Sequence, residues 1–239
     1  MILSTAQTGL AVRGSGLLAE LERDGFSLRR GLAPRLSTIK VAEGLGSVID
    51  VAAMLPSSGI PTVQSLKPKN MSEVGRNQYS GHYGLGIFPL HTDLAHWAFP
   101  PHYFLLRCIV GSDDVFTHVL PWTPIVDSVG TAVLRKAVFA ARRRRIGYSG
   151  LVRAMSHHDG TAVLRWDPIF LTPLNQHAQV LASTMLDSVW DSKVVRILLN
   201  QPGDTLIIDN WRMLHGRGVV MPRSTARHID RVYLSEVLQ

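Results

Sequence analysis

The segment Phe88-Pro-Leu-His-Thr-Asp93 sets an imidazole and a carboxylate two residues apart. On an extended backbone, positions i and i+2 project to the same face, so His91 and Asp93 form a chelating pair. A borderline divalent cation suits those donors, but a third ligand is needed before the site is credible. The best candidate is His215, which follows an apolar run in Gly203-Asp-Thr-Leu-Ile-Ile-Asp-Asn-Trp-Arg-Met-Leu-His-Gly-Arg217. Two imidazoles and one carboxylate on one face of an octahedron leave three positions open, an arrangement suited to non-haem iron(II) and oxygen. A structural zinc site would fill its four places with Cys and His, and this chain has one Cys.

His-Thr-Asp93 followed by Pro100-Pro101, and later Asp-Asn-Trp-Arg-Met-Leu-His-Gly-Arg217 with Arg227 beyond it, resemble the taurine dioxygenase and clavaminate synthase superfamily of Fe(II)/2-oxoglutarate oxygenases. The likeness runs from Tyr79 to Leu234. H-x-D alone is short and recurs by chance; the order and separation of both halves carry the specificity. The resemblance implies a mostly β chain with flanking helices around a double-stranded β-helix, the jelly-roll or cupin-like core. It also implies iron on His91, Asp93 and His215, with 2-oxoglutarate and O2 as cosubstrates. In that family an arginine about a dozen residues past the distal histidine pairs with the far carboxylate of 2-oxoglutarate, and 227 − 215 = 12 points to Arg227. A guanidinium fork holds a carboxylate bidentately and so fixes orientation as well as affinity. Arg231 is similar to the second arginine of taurine dioxygenase, which reaches the substrate's anionic group, with Arg217 and Arg223 as nearby competitors. Thr117 resembles, after a one-residue shift, a threonine that assists the cosubstrate carboxylate. The implied reaction couples oxidative decarboxylation of 2-oxoglutarate to hydroxylation, with desaturation second, of a small amino-acid-derived or anionic substrate. Asp93 stands where related halogenases carry a small residue, which favours hydroxylation.

Short β-branched, aromatic or aliphatic runs at 87–90, 103–110, 116–120, 162–166, 205–210 and 229–238 predict strands. Gly111-Ser-Asp-Asp114 and Pro202-Gly-Asp204 read as tight turns joining strands of an antiparallel sheet. Helical spacing predicts helices over 16–32, 37–55, 125–141 and 176–199, the first with a stop signal at Gly25, the second weakened by Gly44 and Gly46 and broken at Pro56. Many short strands with helices outside suggest a sandwich or jelly roll.

The 239 residues are 46% hydrophobic and 18% charged, which fits one core, read as a single oxygenase domain over 1–239, and argues against disorder. No run approaches the 18 or so apolar residues of a membrane span, and the first sixteen residues show no signal-peptide pattern. Cys108 lies in an apolar strand, where burial is the ordinary fate of a lone thiol, and the cytoplasm is the expected compartment. The net charge of +7 favours an anionic substrate. Arg142 to Arg145 reads as a solvated helix end more readily than as a nucleic-acid contact. The other eight histidines have no motif and are read as surface or satisfied interior groups. Trp97, Trp166 and Trp211 read as core or pocket wall, Gln78, Tyr79 and Ser80 as substrate contacts by position, and Arg165 with Asp167 as substrate contacts or a structural ion pair. The competing functions are a basic polyanion- or nucleic-acid-binding module on the same fold, an oxygenase acting on a macromolecule, and a zinc hydrolase, for which neither motif supplies a Glu base. The oligomeric state is left open.

Overall fold

The computed structural model describes residues 16–54, 59–142 and 150–238. The sequence features at 1–15, the break at Pro56 and Arg143 to Arg145 fall outside that set.

The chain begins with α1 (Leu17–Asp24), β1 (Phe26–Arg29), α2 (Thr38–Leu45), β2 (Gly46–Val48), α3 (Val51–Met54) and β3 (Gln64–Leu66). A short α4 (Ser80–Tyr83) leads into β4 (Phe88–His91), β5 (Tyr103–Val110) and β6 (Phe116–Pro121). Next come α5 (Thr123–Val129), α6 (Thr131–Lys136), β7 (Val138–Ala141), β8 (Leu151–Arg153), β9 (Met155–His158), β10 (Thr161–Leu164), β11 (Leu171–Pro173) and α7 (Gln176–Met185). The chain closes with β12 (Val195–Leu198), β13 (Thr205–Asp209), β14 (Met213–Arg217) and β15 (His228–Val237).

Two antiparallel sheets form the centre, one ordered β1-β13-β5-β15-β2 with β3 also on β15, the other β12-β6-β14-β4. They enclose a core of Phe104, Leu106, Val119, Ile197, Leu206, Ile208, Met213 and Ile229. This is the double-stranded β-helix. The larger sheet is buried on both faces, because Tyr103, Leu105, Ile207, Val232 and Leu234 point outward beneath α1 and α2. That explains why β5 and β13 read as continuous apolar runs instead of alternating. Outside the smaller sheet, Leu120 and Leu214 pack with α5, α6, α7 and the β7 sheet. Among the described residues no helix is long and apolar enough to cross a membrane.

Four local expectations need correction. The first helix ends at Gly25, whose φ of 79° suits a left-handed cap, and Phe26–Arg29 becomes a strand on β13. The second helical stretch stops at Leu45 and turns into β2. The helical pattern over 125–141 breaks at Gly130, and its last residues form β7, where Phe139 and Ala141 are more buried than Val138 and Ala140, a period of two. The stretch 176–199 keeps its Asn175 cap, the side chain accepting from the Ala178 amide at 2.9 Å, but Val195–Leu198 pairs with β6 as a strand.

The two turns differ in kind from expectation. Residues 111–115 carry the chain from the larger sheet to the smaller, and residues 199–204 carry it back, so both are sandwich corners instead of links between paired neighbours. The corners touch: a Cβ on Gly111 would lie 1.9 Å from the Asn200 carbonyl oxygen, and the Asn200 amide donates to Asp113 at 3.1 Å.

Candidate metal centre

His91 ends β4 and His215 sits inside β14, directly opposite one another in the antiparallel register. A bulge between this pair and the next, Arg217 with Phe88, adds one residue on the β4 side. The Pro89 carbonyl there accepts a hydrogen bond from His91 Nδ1 at 2.9 Å, which leaves Nε2 as the free nitrogen. Asp93 lies beyond the end of β4, in a turn. Its backbone is held by Asn210, whose Oδ1 accepts from the Asp93 amide at 2.9 Å and whose Nδ2 donates to the Asp93 carbonyl at 3.0 Å. Asn210 also donates to the Pro101 carbonyl at 2.9 Å, so the residue before Trp211 anchors both ends of the segment that follows the first motif.

These restraints bring the three side chains together. One ligand atom from each of His91, Asp93 and His215 lies within 4.8 Å of the others, and all three residues are buried. His91 Nε2 is 3.8 Å from Asp93 Oδ1, and His215 Nε2 is 3.7 Å from Asp93 Oδ2. Burial lowers the pKa of His91, and burial together with the neighbouring His91 lowers that of His215 well below the ordinary value, so both rings present neutral nitrogens. Burial pushes the Asp93 carboxyl up, but the charge of the adjacent Arg231 is the main influence that outweighs it and holds the group ionised. The donor set fits a divalent cation of the iron or zinc type.

Arg231 lies against this centre. Its Nη1 donates to both oxygens of Asp93 at 2.7 Å, and its Nη2 donates to Gln64 Oε1 at 2.7 Å. Arg227 and Thr117 line the same cavity of about 590 Å³ and are buried. Burial brings the Arg227 guanidinium down to about 10, and its Nε has no hydrogen-bond partner among the described residues. The two competitors are engaged elsewhere. Arg223 is exposed and pairs with Asp114 at 2.8 Å. Arg217 stacks 3.5 Å over Phe88 and donates to the Gly84 and Gly86 carbonyls at 2.8 Å.

Gln78, Tyr79 and Ser80 line the cavity, as their position suggested, and Trp97 joins them. Trp166 belongs to the core and Trp211 stacks on His102 at 3.8 Å. His96, one of the unassigned histidines, also lines the cavity. Arg165 and Asp167 form no ion pair with each other. Arg165 instead donates to the carbonyls of Ala95, Trp97 and Ala98, bracing the loop after Asp93. Sequence reading missed Gln64 and Tyr233, which face the site from β3 and β15; only the pairing of Gln64 with Arg231 in the sheet brings Gln64 there.

Tyr79 stacks on the His91 ring at 4.1 Å and donates its hydroxyl to Asp167 Oδ2 at 3.0 Å. Burial pushes the Asp167 carboxyl up to about 7 despite two backbone amides at 2.7 Å. Between about pH 4 and pH 7 the folded chain therefore holds a proton on Asp167 that the unfolded chain has released, and stability falls as pH rises through that window. Asp167→Asn removes the titration. Its stability relative to the parent rises by about 2–4 kcal/mol from pH 4 to pH 7.5, read by urea unfolding. A difference that stays constant with pH overturns the assignment.

The double-stranded β-helix is a fold that this chain shares with solved non-haem iron oxygenases, and the His-Asp-His cluster lies inside it. Among solved structures it is similar to asparagine oxygenase AsnO, with a TM-score of 0.71 and 18% identity over 95% of this chain and 78% of that one. It is also similar to PvcB, an Fe, alpha-ketoglutarate dependent oxygenase from an isonitrile synthetic pathway, with a TM-score of 0.63 and 18% identity over 95% and 84%. The non-heme iron oxygenase OrfP in complex with Fe and alpha-ketoglutaric acid gives a TM-score of 0.62 at 21% identity over 98% and 81%. A curated relative, L-lysine 3-hydroxylase from Catenulispora acidiphila, is 26% identical over 176 residues, 68% of this chain and 48% of that protein. The match thus spans about half the length of that relative. No protein-family model matches the chain.

Proposed function

We propose that this chain is an Fe(II)- and 2-oxoglutarate-dependent oxygenase that hydroxylates a small amino-acid-derived substrate. The observation that carries the reading is the meeting of three buried donors from two distant motifs on one side of a cavity that also holds a buried arginine without a carboxylate partner among the described residues. His91 Nε2, the Asp93 carboxylate and His215 Nε2 are the proposed iron ligands. Bound there, iron with 2-oxoglutarate and O2 would couple decarboxylation of the cosubstrate to succinate with oxidation of a C–H bond.

The chain's own residues do the positioning. Arg227 receives the far carboxylate of 2-oxoglutarate, with Thr117 donating its hydroxyl beside it. A guanidinium buried without a counterion is costly, and a carboxylate ligand relieves that cost while gaining a fixed orientation. Arg231 and Gln64 hold the Asp93 carboxylate in a single orientation, and Arg231 Nε, without a hydrogen-bond partner among the described residues, is the donor left for the substrate's own anionic group. Tyr79 fixes the plane of His91 by stacking. The amino-acid class is supported by the relatives: asparagine oxygenase is described with 3-hydroxyasparagine and succinate, OrfP with 3-hydroxyarginine, and the curated relative is a lysine hydroxylase. We place the protein in a reducing compartment, the cytoplasm, on the strength of its one cysteine, whose thiol burial pushes up to about 11.

The test is spectroscopic. Anaerobic addition of Fe(II) and then 2-oxoglutarate gives a weak visible charge-transfer band, which shifts when a substrate amino acid is added. A protein that binds Fe(II) but develops no band with 2-oxoglutarate does not carry this chemistry.

A further inference from the structure

Resting on the oxygenase reading, the cavity also bears on the charge of the substrate. Its walls hold five cations, Lys67, Lys69, Arg217, Arg227 and Arg231, against two carboxylates, Asp93 and Asp167. On the oxygenase reading neither carboxylate is left for a cationic substrate, because Asp93 serves the metal and Asp167 its own turn. Both oxygens of Asp93 accept from Arg231, and the two histidines flank them. Asp167 Oδ1 accepts the amides of Ile169 and Phe170, and Oδ2 accepts the Tyr79 hydroxyl.

The donors are in the opposite state. Among the described residues, Arg227 Nε and Arg231 Nε are buried in the cavity wall without hydrogen-bond partners. At the solvent-exposed edge, Lys67 and Lys69 flank Pro68, which keeps Lys67 extended, and neither ammonium has an ion pair among the described residues. A wall with this excess of cations over carboxylates selects an anionic ligand, because burying an unmatched cation against it is costly.

We infer that the substrate carries a second anionic group at its outer end, as a dicarboxylic amino acid does, and that Lys67 and Lys69 receive it. A lysine or arginine side chain would meet those ammonium groups with no carboxylate to answer it. The chain therefore differs in substrate charge from the lysine and arginine hydroxylases that it resembles.

The experiment measures 2-oxoglutarate consumption by the Fe(II)-loaded protein with L-glutamate, its uncharged isostere L-glutamine, and L-lysine. L-Glutamate is expected to give the lowest KM of the three. Lys67→Gln with Lys69→Gln raises the KM for L-glutamate about fivefold, the scale of exposed ion pairs, and shifts that for L-glutamine less than twofold. Equal or better use of L-glutamine or L-lysine overturns the inference, and so does a double variant that moves both constants alike. If none of the three raises consumption above the substrate-free rate, the inference falls, while an Fe(II)-dependent substrate-free rate keeps the oxygenase reading standing. Without that rate, the oxygenase reading itself fails.

Discussion

An Asp93→Ala protein loses 2-oxoglutarate turnover by about a thousandfold or more, equivalent to about 4 kcal/mol of transition-state stabilisation. Succinate formation under saturating Fe(II) measures it. Removing this carboxylate deletes one of three proposed ligands and strips Arg231 of the acceptor for its Nη1. The variant therefore loses fold stability too, since a buried cation is left without its counterion. Asp93→Asn narrows the second effect: it keeps one acceptor oxygen for Arg231 and the side-chain volume, so it costs less stability than Asp93→Ala while turnover is still lost. His91→Ala gives the same loss by a different route, freeing the Pro89 carbonyl and removing the ring on which Tyr79 stacks. Full Fe(II)-dependent turnover in either variant removes that residue from the ligand set.

For Arg227→Ala the expected result is a rise of about a hundredfold in the apparent KM for 2-oxoglutarate, the scale of truncating one partner of a buried charge pair. The ligand-free fold keeps its stability, because Arg227 has no carboxylate partner among the described residues to lose. That combination separates a cosubstrate-binding role from a structural one. Arg227→Lys recovers only part of the affinity, since an ammonium lacks the planar fork. An unchanged KM moves the assignment to Arg231, because Arg217 is held by the Gly84 and Gly86 carbonyls and Arg223 is exposed on Asp114.

The sequence was most legible where its chemistry is local. The apolar runs that became β5, β6, β13 and β15 were read within a residue or two of their ends, because core strands leave a pattern that needs no knowledge of partners. The His-x-Asp spacing and the downstream histidine pointed to one centre, and the fold brings all three together. What failed was long-range. Val138–Ala141 and Val195–Leu198 satisfied a helical spacing as well as an extended one, and their pairing with β11 and β6 decided the outcome. Arg165 and Asp167 look like a ready ion pair two residues apart, yet one turns to the carbonyls at 95–98 and the other to its own turn amides. Gln64 reaches the site only through register with Arg231, at a separation of 167 residues that no spacing rule covers.

The hold of Arg231 on Asp93 bears on the order in which this molecule matures. A deep carboxylate facing two neutral rings would repel its neighbours' lone pairs in an ion-free chain, and many metalloproteins meet that problem by staying unfolded until the ion arrives. Here an internal counterion already answers the negative charge. The polypeptide can reach its native architecture first and be loaded afterwards, so a chelator should strip it reversibly and leave an intact, reloadable apoprotein.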